Sequence, residues 1–213
     1  MSEAPALQIG ILGFDEVEVL DLAGPYEVFT TAARMATRMA GTANDGALQT
    51  AAPWQVHCIS QHGTPVRARA GLVIQASRSF AQCPRPDVLV VPGGVVDQAA
   101  QCPATQAWVA EAARHARLTA SVCTGVFILA SAGVVRDEPV TTHWEDLGDL
   151  RRQHPALQVR EGVRWVEHGK LLTSAGISAG IDMSLHLVAR LAGQALAERT
   201  ARQMDYRWLQ QAD

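Results

Sequence analysis

The chain has 213 residues, of which 48% are hydrophobic and 18% charged, with a formal net charge of −3. That length and balance predict one folded domain over residues 1–213 and exclude a disordered segment. With no Lys/Arg-rich run and no apolar run of membrane-spanning length, neither nucleic acid nor membrane is expected as a partner.

In chain order, Gln8 to Phe14 reads as a first strand and Leu22 to Ala40 as a helix. Residues 41–53 are rich in Gly, Ala and Asn without periodicity, which predicts a surface loop. Trp54 to Ser60 and Leu72 to Gln75 read as short strands. Asp87 to Val91 is a nearly continuous apolar run that stops at Pro92-Gly93-Gly94, as suits a central parallel strand covered on both faces. A helix is expected from Ala104 to Ala116, a buried strand from Leu118 to Val122, and a helix from Gly125 to Ala132. Val163 to Glu167 and Leu171 to Thr173 predict a hairpin around His168-Gly169, and helices from Ile181 to Leu191 and Leu196 to Leu209 close the chain. Strands alternating with helices indicate an α/β sandwich with a mostly parallel sheet.

The N-terminus carries an acid and no basic segment, so it is not read as a signal peptide, and a cytoplasmic location is expected. The four cysteines, Cys58, Cys83, Cys102 and Cys123, form no CxxC pair and no zinc-type cluster, so no metal is expected and free thiols are the simple reading.

Chemistry concentrates where strands end. At 121-SVCTG-125 a strand runs straight into a helix, the arrangement of a nucleophile elbow. A cysteine there sits at a helix N-terminus, which favours an anion, so Cys123 is expected to carry a lowered pKa. Packing of a small residue is the plain alternative. In 88-VLVVPGGV-95, the amides of Gly93 and Gly94 could face a developing negative charge. Asp21 stands between Leu20 and Leu22 where a helix starts. It is either an N-cap or, if buried, a carboxyl of raised pKa suited to proton transfer. His143, in TTHW, is either a base partner for Cys123 or a residue before a helix with Trp144 packed beneath it. Asp182 reads as a helix-dipole partner, and the remaining histidines as structural or solvated.

The ordered set LDLAGPYEVF, DVLVVPGG, SVCTG, TTHW and TSAGISAGIDMSLHL resembles the ThiJ/PfpI superfamily over nearly the whole chain. It is most similar to the isocyanide (isonitrile) hydratases and to the amidase-like domains of AraC-type regulators. The resemblance implies a flavodoxin-like three-layer sandwich with the elbow after a central strand. It also implies a cofactor-free reaction on a small-molecule substrate, and a homodimer. On the hydratase pattern Cys123 attacks the isonitrile carbon, Asp21 moves protons, and Thr124 contacts Asp21 or the intermediate. Gly93, Gly94, His143, Trp144 and Ile177 fall at substrate-binding positions, with Ile177 matching an apolar residue near the nucleophile. Protease-like members carry a histidine directly after the cysteine where this chain has Thr124, and glyoxalase-like members an early glutamate where it has Asp21. TSAGIS in place of the hydratases' TGGGIT, and the long loop at 41–53, are departures toward the regulator-type domains. The alternatives are a ligand- or redox-sensing domain without catalysis, or amidase or glyoxalase-type chemistry.

Overall fold

The structure is a computed structural model that describes residues 6–42, 54–83 and 85–212. Its elements in chain order are β1 (Gln8–Leu12), α1 (Val19–Thr42), β2 (Gln55–Ser60), β3 (Val66–Arg67), β4 (Val73–Ile74) and β5 (Arg78–Ser79). They continue with β6 (Val88–Val91), α2 (Asp97–Gln101), α3 (Pro103–His115), β7 (Leu118–Val122), α4 (Gly125–Ser131) and β8 (Pro139–Val140). Last come α5 (Leu147–Gln153), β9 (Gln158–Val159), β10 (Trp165–His168), β11 (Leu171–Ser174), α6 (Ala179–Ala192) and α7 (Gln194–Gln203). Gly41 and Thr42 close α1, and the rest of the loop expected over 41–53 lies outside the described residues.

Seven strands form one sheet in the order β10-β11-β7-β6-β1-β2-β5. Every pairing in it is parallel except the β10–β11 hairpin, which turns at Gly169 with φ 61°. The apolar runs become its centre because β6 and β7 are buried at every residue. Successive side chains of a strand point to opposite faces, and the core divides accordingly. Ile9, Ile11, Val88 and Val90 pack with Val28, Phe29, Met183 and Leu187 from α1 and α6. Leu12, Leu89 and Val91 pack with Val109, Ile128 and Leu150 from α3, α4 and α5. Two helical layers thus enclose the sheet, the expected three-layer α/β sandwich.

The differences from expectation are local. Helix α1 starts at Val19, three residues early, which moves Asp21 from a cap position into its first turn. The strand expected at Leu72 to Gln75 is a two-residue piece paired antiparallel with β3, apart from the main sheet. Helix α7 stops at Gln203, because Asp205 turns to φ 50° and the chain then runs back over α6. Asp182 explains that return path. It is fully buried, accepts from Arg164 Nε at 2.8 Å and from the Leu209 amide at 2.9 Å, and so ties down the C-terminal segment. The dipole reading of Asp182 misses this role. Helix α2 was not anticipated, since five residues are too few to show a helical period, and α5 only as a helix that His143 could precede.

The topology places three connections side by side. β1, β6 and β7 are adjacent and parallel, so the segments leaving their C-terminal ends converge. Sequential strands leave β1 in opposite directions across the sheet, the switch point where open α/β sheets form their ligand crevice. Gly125 is needed there for close approach: a Cβ on it would stand 2.1 Å from the Val91 carbonyl oxygen.

Candidate active site

Cys123 is the first of the two residues between β7 and α4, and it takes φ 56°. A non-glycine residue in that left-handed region costs about 1–3 kcal/mol. The strain is held by hydrogen bonds on both sides of the residue. Its amide donates to the Ser174 carbonyl at 3.1 Å, and its carbonyl accepts from Thr142 Oγ1 at 2.9 Å. Cys123 is buried, yet it lines a cavity of about 490 Å³ together with Gly94, Thr124, Phe127, His143 and Ile177.

Asp21 reaches the same point from the first turn of α1 and is fully buried. Its Oδ2 accepts from the Gly93 amide at 3.2 Å, while Oδ1 is buried with no partner of hydrogen-bond geometry. Carboxyl and thiol are nevertheless close enough to perturb each other's titration. Burial pushes the Asp21 carboxyl up to about 7, against the opposing pull of the Gly93 hydrogen bond. Burial, reinforced by the Asp21 charge, pushes the Cys123 thiol up to about 12. The expected lowering of the Cys123 pKa is thus overturned. Desolvation outweighs whatever the seven-residue α4 supplies. The dipole argument holds instead at Cys102, which precedes the thirteen-residue α3 and is little buried. Its thiol is lowered first by the Thr105 amide. No disulfide joins any of the four cysteines.

The two glycines do different work from that expected. The Gly93 amide is committed to Asp21, and the Gly94 amide donates to Thr124 Oγ1 at 2.9 Å. Neither is left to receive a developing charge on substrate. Gly93 is instead a spacer. A Cβ on it would meet Thr124 N and Oγ1 at 2.6 Å each and Asp21 Oδ2 at 2.9 Å. A Gly93→Ala variant should therefore lose about 1–3 kcal/mol of stability through overpacking, and at least tenfold in turnover as the carboxyl is displaced. Denaturant unfolding and steady-state kinetics on the purified variant check both. Thr124 makes no hydrogen bond to Asp21: its hydroxyl also donates to the Gly94 carbonyl at 2.9 Å, locking the glycine turn to the elbow.

His143 lines the cavity but is not engaged with the thiol. Its Nδ1 accepts from the Glu145 amide at 3.4 Å and lies 3.5 Å from Asp146 Oδ2. Its ring lies over Gly176, where a Cβ would meet Cδ2 at 2.0 Å. Trp144 does not line the cavity. Its side chain is 72% exposed and tilted against the His143 ring, beside a separate depression that Ile177 shares. Ile177 borders the Cys123 cavity as expected, with φ 39°.

Sequence reasoning missed the charged wall. Glu18, Arg69, Asp97, Glu145, Asp146 and Asp149 also line the cavity. Glu145 and Asp146 directly follow TTHW and were within reach of that motif, whereas nothing local marks Arg69 or Asp97. Among the described residues, no group of three or more His, Cys, Asp or Glu side chains is placed to hold a metal ion. No helix among them is long and apolar enough to cross a membrane.

An isonitrile hydratase of Pseudomonas putida is 35% identical over 202 residues, 94% of this chain and 79% of that protein. The HTH-type transcriptional regulator CdhR of Pseudomonas aeruginosa is 30% identical over 147 residues, 69% of this chain and 44% of that protein. Among solved structures, a ThiJ/PfpI family protein from Pseudomonas syringae superposes with a TM-score of 0.79 at 29% identity, covering 96% of this chain and 76% of that one. The pattern described as the DJ-1/PfpI family matches residues 8–190, which include every element that positions Asp21 and Cys123, and the chain belongs to that family.

Proposed function

We propose that the protein is a cofactor-free, cysteine-dependent hydratase that converts an isonitrile and water to an N-substituted formamide. The observation that carries this reading is a buried Asp21 carboxyl, raised to about 7, placed against a strained Cys123 thiol that opens on a cavity. The 35% identity to an isonitrile hydratase supports it.

The chemistry suits a protonated thiol. The terminal carbon of an isonitrile must gain both a sulfur and a proton. The ionised Asp21 takes the thiol proton as sulfur bonds to carbon, then delivers that proton to the same carbon, leaving a thioimidate. Asp21 next takes a proton from water as its oxygen adds to the carbon. Asp21 passes that proton to the nitrogen, the added hydroxyl then gives up its remaining proton to Asp21 as the carbonyl forms and the carbon–sulfur bond breaks, and Asp21 returns that proton to the sulfur, so the formamide leaves with the thiol restored. A carboxyl near 7 is matched to giving and taking protons at neutral pH. Thr124 and Gly93 act as positioning residues through the hydrogen bonds already described.

Incubation with cyclohexyl isocyanide, with the formamide followed by chromatography, tests the reading. Formamide formation that depends on protein is the expected result. Absence of turnover with alkyl and aryl isonitriles alike would contradict it and favour a ligand-sensing domain, a role compatible with the regulator relatives. The redox-sensing version of that alternative is tested by comparing oxidation of the four cysteines by mass spectrometry after mild peroxide treatment. A homodimer and a cytoplasmic location belong to the same proposal.

A further inference from the structure

The cavity over Cys123 has an uneven charge. Among the described residues, Glu18, Asp97, Glu145, Asp146 and Asp149 line it, against Arg69 as the one Lys or Arg. The pairings leave a net negative wall. Glu18 is matched by Arg69 at 3.3 Å, and Asp149 by Arg152 at 2.7 Å. Asp97, Glu145 and Asp146 have no Lys or Arg partner among the described ion pairs. Only the His143 ring lies near them, at 3.8 Å from Glu145 and 3.5 Å from Asp146.

Helix dipoles explain part of the wall. Asp97 and Asp149 lie in the first turns of α2 and α5, where acids are favoured. Glu145 and Asp146 lie in the first turn of the short 3-10 helix Trp144–Asp146. Asp146 occupies the N-cap of α5 yet makes no side-chain capping bond. Its carboxylate is half-buried, faces the cavity, and is felt electrostatically at Cys123. The negative field therefore extends from the rim to the nucleophile. In a cleft with low-dielectric walls, such a field concentrates ligands of opposite charge.

We infer that this cavity selects ligands by charge and takes one whose substituent is cationic, an ammonium or a guanidinium, held by Asp146, Glu145 and Asp97. On the hydratase reading above, on which this substrate assignment rests, the preferred substrate is an isonitrile bearing such a group. The reacting carbon sits at Cys123 and the cation lies along the wall toward α2 and α5.

Two arms separate this inference from the reaction itself. In the first, Cys123 is modified by a cationic and an anionic methanethiosulfonate, 2-aminoethyl against 2-sulfonatoethyl. Rates are read at the Cys123 peptide by mass spectrometry and referred to 2-mercaptoethanol. The cation-to-anion rate ratio should exceed that of the free thiol by about tenfold or more at low salt. It should shrink as salt rises above 0.1 M, where screening acts within about 10 Å. Asp146→Asn and the exposed Asp97→Asn should each lower it. In the second arm, an isonitrile with a dimethylaminopropyl substituent should show a higher kcat/KM than cyclohexyl isocyanide, and isocyanoacetate a lower one. Discrimination by the thiol reagents without any isonitrile turnover would uphold charge selection and remove the hydratase reading. A thiol-reagent ratio at or below that of 2-mercaptoethanol, or one unmoved by both substitutions, overturns the charge selection.

Discussion

Replacing Cys123 with alanine is expected to abolish formamide production, a loss of roughly 10⁴-fold or more, as when a covalent nucleophile is removed. The loss should fall on kcat, because the cavity and its charged wall are untouched. Stability should respond in a way that separates function from packing. At φ 56° the Cys123 backbone is strained for any residue with a Cβ. Glycine at this position should therefore be more stable than alanine by about 1 kcal/mol, or about 2–4 °C in Tm for a chain of this size. Both variants would be inactive. A residue kept in strain when glycine would relieve it marks a site maintained for chemistry, and thermal unfolding of the pair measures that directly.

Asp21→Asn should lower turnover by roughly 10²–10⁴-fold, the range for losing a positioned acid–base group. It should also remove the rise of kcat/KM with pH through about 7 that the ionising carboxyl imposes. Its stability effect runs opposite to that of a salt-bridged acid. Asp21 holds its proton more tightly in the folded state, about 7 against 3.8. Between these values the folded chain binds more protons than the unfolded one, so stability is full below about 4 and is lost as pH rises to about 7. The loss is on the order of 4 kcal/mol at most. Asparagine cannot ionise and avoids it. The variant should match the parent near pH 4 and be more stable at pH 8, as urea unfolding at the two pH values would show. A gap of the opposite sign would mean that Asp21 is stabilised as an anion in the fold.

The sheet was legible where burial leaves a strong chemical trace. VLVV and LTASV are apolar or small on both faces, and they became β6 and β7 at the centre of the sheet. The elbow was legible for a similar reason, since nothing separates the strand residue Val122 from the helix at Gly125 except Cys123 and Thr124. Asp21 could be singled out by its apolar neighbours, but its partnership with Cys123 was legible only through the family resemblance. That contact forms only because β1 and β7 flank β6, and sheet order leaves no local mark in a sequence. The thiol pKa was misjudged because a local rule about helix ends was applied to a residue whose burial is set by the whole fold. The amides of Gly93 and Gly94 were misassigned for a related reason. Their use depends on what stands opposite, and Asp21 and Thr124 had already taken them. Trp144 illustrates the limit of motif position, since it directly follows a cavity residue and still points to solvent.

The central claim is that Cys123 bonds to the substrate carbon and Asp21 moves the protons. It is tested most directly by rapid-quench mass spectrometry of the parent protein mixed with one equivalent of isonitrile in a single turnover. The account predicts a transient adduct with the full mass of the isonitrile on the Cys123 peptide, decaying as formamide appears. Formamide appearing in a single turnover with no mass ever gained at Cys123 would contradict it.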